Sequence, residues 1–178
     1  MIPRSAQVVA FAILLAGTLQ VMTLLGEHGA PLALVGGHRI AALELAPTET
    51  AATKIVDAWS GPLHDLALAD IRLDYVFIAL YSTTLAFAGF FGAVVLTGGL
   101  ARLGPRVAYA IWIAGLCDVL ENIGMTAELH GHYTIAPLVC AVSSIKWILV
   151  IGGSVYGVVT LAAMVLRWRV LIGWRRST

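Results

Sequence analysis

The chain has 178 residues, 60% of them hydrophobic and only 12% charged, with a mean hydropathy of +0.90 and a formal net charge of +1. Soluble domains carry about 25% charged residues, so this composition excludes an ordinary soluble enzyme, and a near-neutral chain has no nucleic-acid partner to be expected. It is the composition of an integral membrane protein whose first partner is the lipid bilayer.

Four apolar runs are each long enough for a membrane helix of about 20 residues. The first extends from about Gln7 to Gly26. Arg4 precedes it and Gly29 and Ala30 follow, as in a signal peptide, but the run exceeds the ~7 to 15 residues of a signal core, so it is expected to be a retained span. It carries Gln20 and Thr23 in its second half.

Between the first and second spans lies an insertion over residues 27–71, far longer than an ordinary connection. PLALVGGHRIAALELAP is ambiguous: Gly36 and Gly37 interrupt a helix, and RIAALELA suits a helix or a strand. PTETAATKIVDAWSGP predicts a short amphipathic helix near 48–59. Pro47 and Thr48 start it, Glu49 suits its N-terminal dipole, and Ser60-Gly61-Pro62 stops it. Ala51, Ala52, Ile55, Val56 and Trp59 form one apolar stripe, which must cap the bundle or lie at the membrane interface.

The second span runs from about Leu73 to Thr97, and HDLALADIRLDYVF extends the same helix toward the insertion. Asp74 and Tyr81, seven apart, share a face. TGGLARLGPR is expected to be a turn into the third span, about Arg106 to Glu128. LHGHYTIAP leads to the fourth, about Pro137 to Leu166, whose Gly153 and Gly157 have the Gly-x-x-x-Gly spacing of close helix contacts. The fold expected is an all-α bundle of four transmembrane helices forming a single domain over 1–178. With the N-terminus inside, Arg4, Arg102, Arg106, Arg167, Arg169, Arg175 and Arg176 fall on the inner side with no carboxylate among them. The positive-inside bias then places both termini in the cytoplasm of a cell membrane. Nine arginines to two lysines and abundant alanine suggest a bacterial, GC-rich source.

The third span holds the chemistry. In CDVLENIG, Asp118, Glu121 and Asn122 occupy about one helical turn, and spacings of three and four put them on one face with Met125. Asp118 and Glu121 lie roughly 13 to 18 Å below the outer end of the helix. Lys146 and Tyr81 come to a similar depth, with Asp74 nearer the mouth. A polar face inside a membrane must meet other helices or a water-filled cavity, and intramembrane ionisable groups mark functional sites. Two carboxylates against one lysine leave a charge to be matched by a proton, by solvent or by a cation. The alternative is a closed network that only fixes helix register.

Asp118 and Glu121 are thus candidates for acid and base, with Asp74, Tyr81, Asn122, Lys146, Gln20 and Trp59 as ligand-binding candidates. The function expected is binding or chemical modification of an amphipathic or lipid-like small molecule. Two alternatives are an assembly subunit of a membrane complex, with an oligomer or protein partner, and a proton- or cation-coupled transporter. Nothing points to a particular cofactor. Glu128, His130 and His132 form a weak metal candidate without the spacing of a zinc motif. Cys117 and Cys140 are expected some 15 Å apart in depth, too far for a disulfide, and no residue motif carries a resemblance to a known four-helix family.

Overall fold

The computed structural model describes residues 4–175, and side chains from Ala6 to Leu166. Arg176 lies outside the described residues, as do the side chains of Arg4, Arg167, Arg169 and Arg175; these are five of the seven arginines on which the charge asymmetry rests. Seven α-helices follow in order: α1 (Arg4–His28), α2 (Ala30–Leu34), α3 (Ile40–Glu44), α4 (Glu49–Ala58), α5 (Pro62–Val95), α6 (Gly98–Leu129) and α7 (Ala136–Arg175), with a 3-10 turn at Tyr133–Ile135 before α7. Helices α1, α5, α6 and α7 are long and apolar enough to cross a membrane. The chain is therefore a multi-pass, all-α membrane protein. The end of the bundle under α2–α4 is called here the cap end, and the end at the α5–α6 connection the turn end.

Helix α5 is central: it packs against α6, α1 and α7, while α1 rests on α5 and touches little else of the bundle. The large apolar side chains left exposed on α1, α6 and α7, among them Ile13, Trp112, Leu116 and Ile148, are what a lipid-facing surface requires.

The insertion folds locally for legible reasons. Thr48 caps α4, its hydroxyl accepting from the Ala51 amide at 3.2 Å. Ala52, Ile55, Val56 and Trp59 are buried on one stripe. Trp59 is fully buried and donates its indole N–H to the His38 carbonyl at 3.2 Å, so α4 is a cap on the bundle and its tryptophan is not an interfacial anchor. The ambiguous RIAALELA stretch is helical in part, as α3. Gly37, with φ +76°, makes the bend before it. Beside it, Gly36 lies so close to the Trp59 ring that no Cβ would fit. Leu32, Leu43, Trp59, Ile71, Met125 and Leu129 then join in one core that binds the cap to the ends of α5 and α6.

The turn end differs from expectation. TGGLARLGPR is not a ten-residue turn: Leu96 and Thr97 suffice, Gly98 turns with φ +62°, and α6 begins there and runs through Pro105. The reason is tertiary. Gly89 of α5 and Gly104 of α6 meet backbone to backbone, and a Cβ on Gly104 would lie 2.5 Å from the Gly89 carbonyl oxygen and 2.8 Å from the Ala93 nitrogen. The Tyr156 hydroxyl of α7 donates to the Leu100 carbonyl at 2.9 Å, holding the first turn of α6. The Gly-x-x-x-Gly pair of α7 is divided between two neighbours: Gly153 abuts Ile111 of α6, and Gly157 faces Ala88 and Leu85 of α5.

Candidate functional site

Four elements, α3, α5, α6 and α7, converge at the cap end. The face of α6 that carries Asp118, Glu121, Asn122 and Met125 is buried throughout, as 3.6-residue periodicity requires. Lys146 enters from α7 and spends its three N–H donors on three carboxylates: Glu121 Oε1 at 2.7 Å, Asp118 Oδ1 at 3.2 Å and Glu44 Oε2 at 3.2 Å. From α5, the Tyr81 hydroxyl donates to Asp118 Oδ2 at 2.8 Å. Asp74 accepts from Asn122 Nδ2 at 2.8 Å. The expected association of Asp118, Glu121, Asn122, Tyr81, Asp74 and Lys146 is therefore present as geometry.

Glu44 is the residue that sequence analysis missed. It is the last residue of α3, in a stretch that reads equally as helix or strand, 102 positions from Lys146. It is nevertheless buried, and Trp147 Nε1 also donates to its Oε2, at 3.3 Å. A glutamate within an otherwise apolar segment, RIAALELA, was the available signal: a short helix that buries its apolar side carries such a residue inward with it.

The charge balance is more one-sided than the sequence implies. Glu44, Asp74, Asp118 and Glu121 surround a single ammonium. Buried charge is costly unless matched, so the excess over Lys146 must be met by protons, by solvent or by a cation. Glu121 Oε2 and Asn122 Oδ1 are moreover buried with no hydrogen-bond partner in the protein.

Beside the cluster is a cavity of about 210 Å³ between α1, α3, α5 and α6. Its polar lining comprises Arg39, Glu44, Asp70, Asp74 and Asn122, and Leu25, Ile40, Ile71 and Met125 supply apolar wall. Asp70 is held by His28 Nδ1 at 3.2 Å. Asp118, Glu121, Tyr81 and Lys146 do not reach the lining; they form the layer behind it, joined to it through the Asn122–Asp74 and Lys146–Glu44 bonds. The polar wall on this side of the cavity is supplied by Asp74, Asn122 and Glu44.

Three other candidates are placed elsewhere. Gln20 is exposed on α1. The contact face of that helix is set by Thr18, whose hydroxyl is 2.9 Å from that of Thr84 on α5, and a residue two positions on points about 200° away. Trp59 packs in the cap core. Glu128 is fully buried with both carboxylate oxygens unpartnered, whereas His130 and His132 are exposed beyond it. The same two-residue rotation separates Glu128 from His130, and Gly131, φ +91°, turns the chain before His132. Among the described residues, no three His, Cys, Asp or Glu side chains converge as metal ligands would. Cys117 and Cys140 are both free and half-buried.

No protein-family model, no curated protein and no solved structure matches this chain.

Proposed function

We propose that the chain is a receptor or carrier for an amphipathic, lipid-like small molecule, bound in the cavity at the cap end, with that end facing the outer side of a bacterial cell membrane. The observation that carries this reading is the lining itself. A buried amide with an unpartnered oxygen, Asn122, and the carboxylates of Asp74 and Glu44 stand opposite apolar wall, the mixture that small-molecule sites use to bind and to orient. The distribution of arginines supports the orientation, with Arg102 and Arg106 at the turn end and the acidic residues toward the cap. Binding is favoured over acid–base chemistry because Asp118 and Glu121 stand behind the lining and are engaged by Lys146 and Tyr81. A proton or cation pathway would have to continue to the turn end, where the interior consists of glycine, alanine and hydroxyls such as Thr18, Thr84 and Thr160.

The test is native mass spectrometry of the protein released from mild detergent, compared with Ala41→Phe, which places a ring in the cavity from α3. Wild type should retain an adduct of defined mass that the filled variant lacks, at unchanged thermal stability. The same adducts on both proteins would rule out the cavity as the binding site.

A further inference from the structure

The chemistry of the cavity wall restricts what enters it, granted the ligand site proposed above. Four side-chain acceptor atoms of its lining residues have no hydrogen-bond partner within the protein among the described residues, one of them Asp70 Oδ2, since His28 holds only Oδ1. Asp74 uses Oδ2 for Asn122 and leaves Oδ1; Glu44 uses Oε2 for Lys146 and Trp147 and leaves Oε1; and Asn122, 1% exposed, leaves Oδ1. Acceptors of this kind seek donors, and three of the four belong to carboxylates, so the fitting donor is a cation. Arg39, exposed at the rim, is the single basic side chain on the lining, against the carboxylates of Glu44, Asp70 and Asp74.

A bare metal ion is a poor match, because the carboxylates are spread around the cavity and do not converge as a ligand set. An ammonium matches well: it offers three N–H donors and one positive charge, and each bond to a carboxylate is of the strong, charge-assisted kind. The protein already demonstrates the preference one layer deeper, where the Lys146 ammonium places its three donors on Glu44, Asp118 and Glu121. Size limits the ligand further. At about 210 Å³ the cavity is below the ~300 to 1,000 Å³ of sites that enclose a drug-sized molecule, so it takes a small head and a few carbons of apolar chain. We infer that the cavity seats the protonated primary amine of an amine-headed amphiphile between Asp74, Asn122 and Glu44, with the first part of its chain against Leu25 and Ile71.

Three probes with the same twelve-carbon chain test this: dodecylamine, dodecanol and dodecanoate, titrated calorimetrically into the protein in nonionic micelles, with empty micelles as the blank. The expected result is a dodecylamine affinity about tenfold or more above those of the alcohol and the acid, the size of one charge-assisted bond. Asp74→Asn and, separately, Glu44→Gln should each reduce that preference while melting as cooperatively as wild type; two variants guard against one that misfolds. Butylamine binding as tightly as dodecylamine would support the amine site and identify a soluble amine as its source, whereas strong dependence on chain length would identify a membrane-held one. Equal binding of all three heads overturns the amine assignment and leaves the pocket standing. No binding of any probe above the blank, with no adduct in native mass spectrometry, overturns both, and water alone then fills the cavity.

Discussion

The two halves of the bundle handle the same constraint in opposite ways. In lipid, polar groups must find partners inside the protein. The turn-end half meets this requirement with small groups. Thr84 and Thr160 return their hydroxyls to the carbonyl four residues back, at 2.7 and 3.0 Å, Thr18 meets Thr84, and Gly89 and Gly104 let two backbones touch. Among the described residues, no charged side chain is buried there. The cap-end half instead retains five carboxylates (Glu44, Asp70, Asp74, Asp118 and Glu121), an ammonium, a buried amide and, apart from these, the unpartnered Glu128. A buried ion cluster is seldom the most stable way to fill a core, since well-packed apolar residues of the same volume often do as well or better. The contrast indicates that the turn end is built for close, rigid packing. The cap end keeps groups that packing alone does not require.

The contrast is sharpest where an unmatched charge is left behind. Lys146→Met strands Glu44, Asp118 and Glu121 together and should cost about 3–5 kcal/mol, read as the shift of the unfolding midpoint in detergent. Adding Glu121→Gln should restore part of that loss. If the single change costs under about 1 kcal/mol, the three carboxylates do not depend on Lys146 in the way their distances imply.

Next comes the cap. Trp59→Ala removes a fully buried indole and its bond to His38, a loss of about 3–5 kcal/mol for a well-packed site. Here it should appear as local opening. Amide exchange should accelerate over residues 30–61 and leave the α5–α6 contact near Gly89 unchanged. Uniform acceleration along the whole chain would show that cap and bundle are one cooperative unit.

The smallest effect belongs to the turn end. Gly104→Ala forces a methyl group against the α5 backbone, for about 1–3 kcal/mol. Gly152→Ala is the matched control, because a Cβ there meets nothing within 4 Å; it should be neutral or slightly stabilising, as alanine is the better helix former by about 1 kcal/mol. Equal melting temperatures for the two variants would remove the distinction between a close-packed half and a polar half.

The sequence by itself determined what depends on local periodicity and on span length. Apolar runs of membrane length define the four long helices, and a 3.6-residue repeat places Asp118, Glu121, Asn122 and Met125 on one buried face. The N-cap at Thr48 and the apolar stripe through Trp59 define α4, and counting residues along α5, α6 and α7 brings Tyr81 and Lys146 to the depth of Asp118. Only the tertiary structure decided how the helices are rotated and what closes over them. Gln20 points outward because Thr18, two residues earlier, meets Thr84. Glu44 joins Lys146 because the cap core of Leu43, Trp59 and Met125 draws α3 down onto the bundle. Gly104 is helical because Gly89 lies against it. Each of these rests on a contact between residues far apart in the chain, and no local pattern encodes the partner on the other side of such a contact.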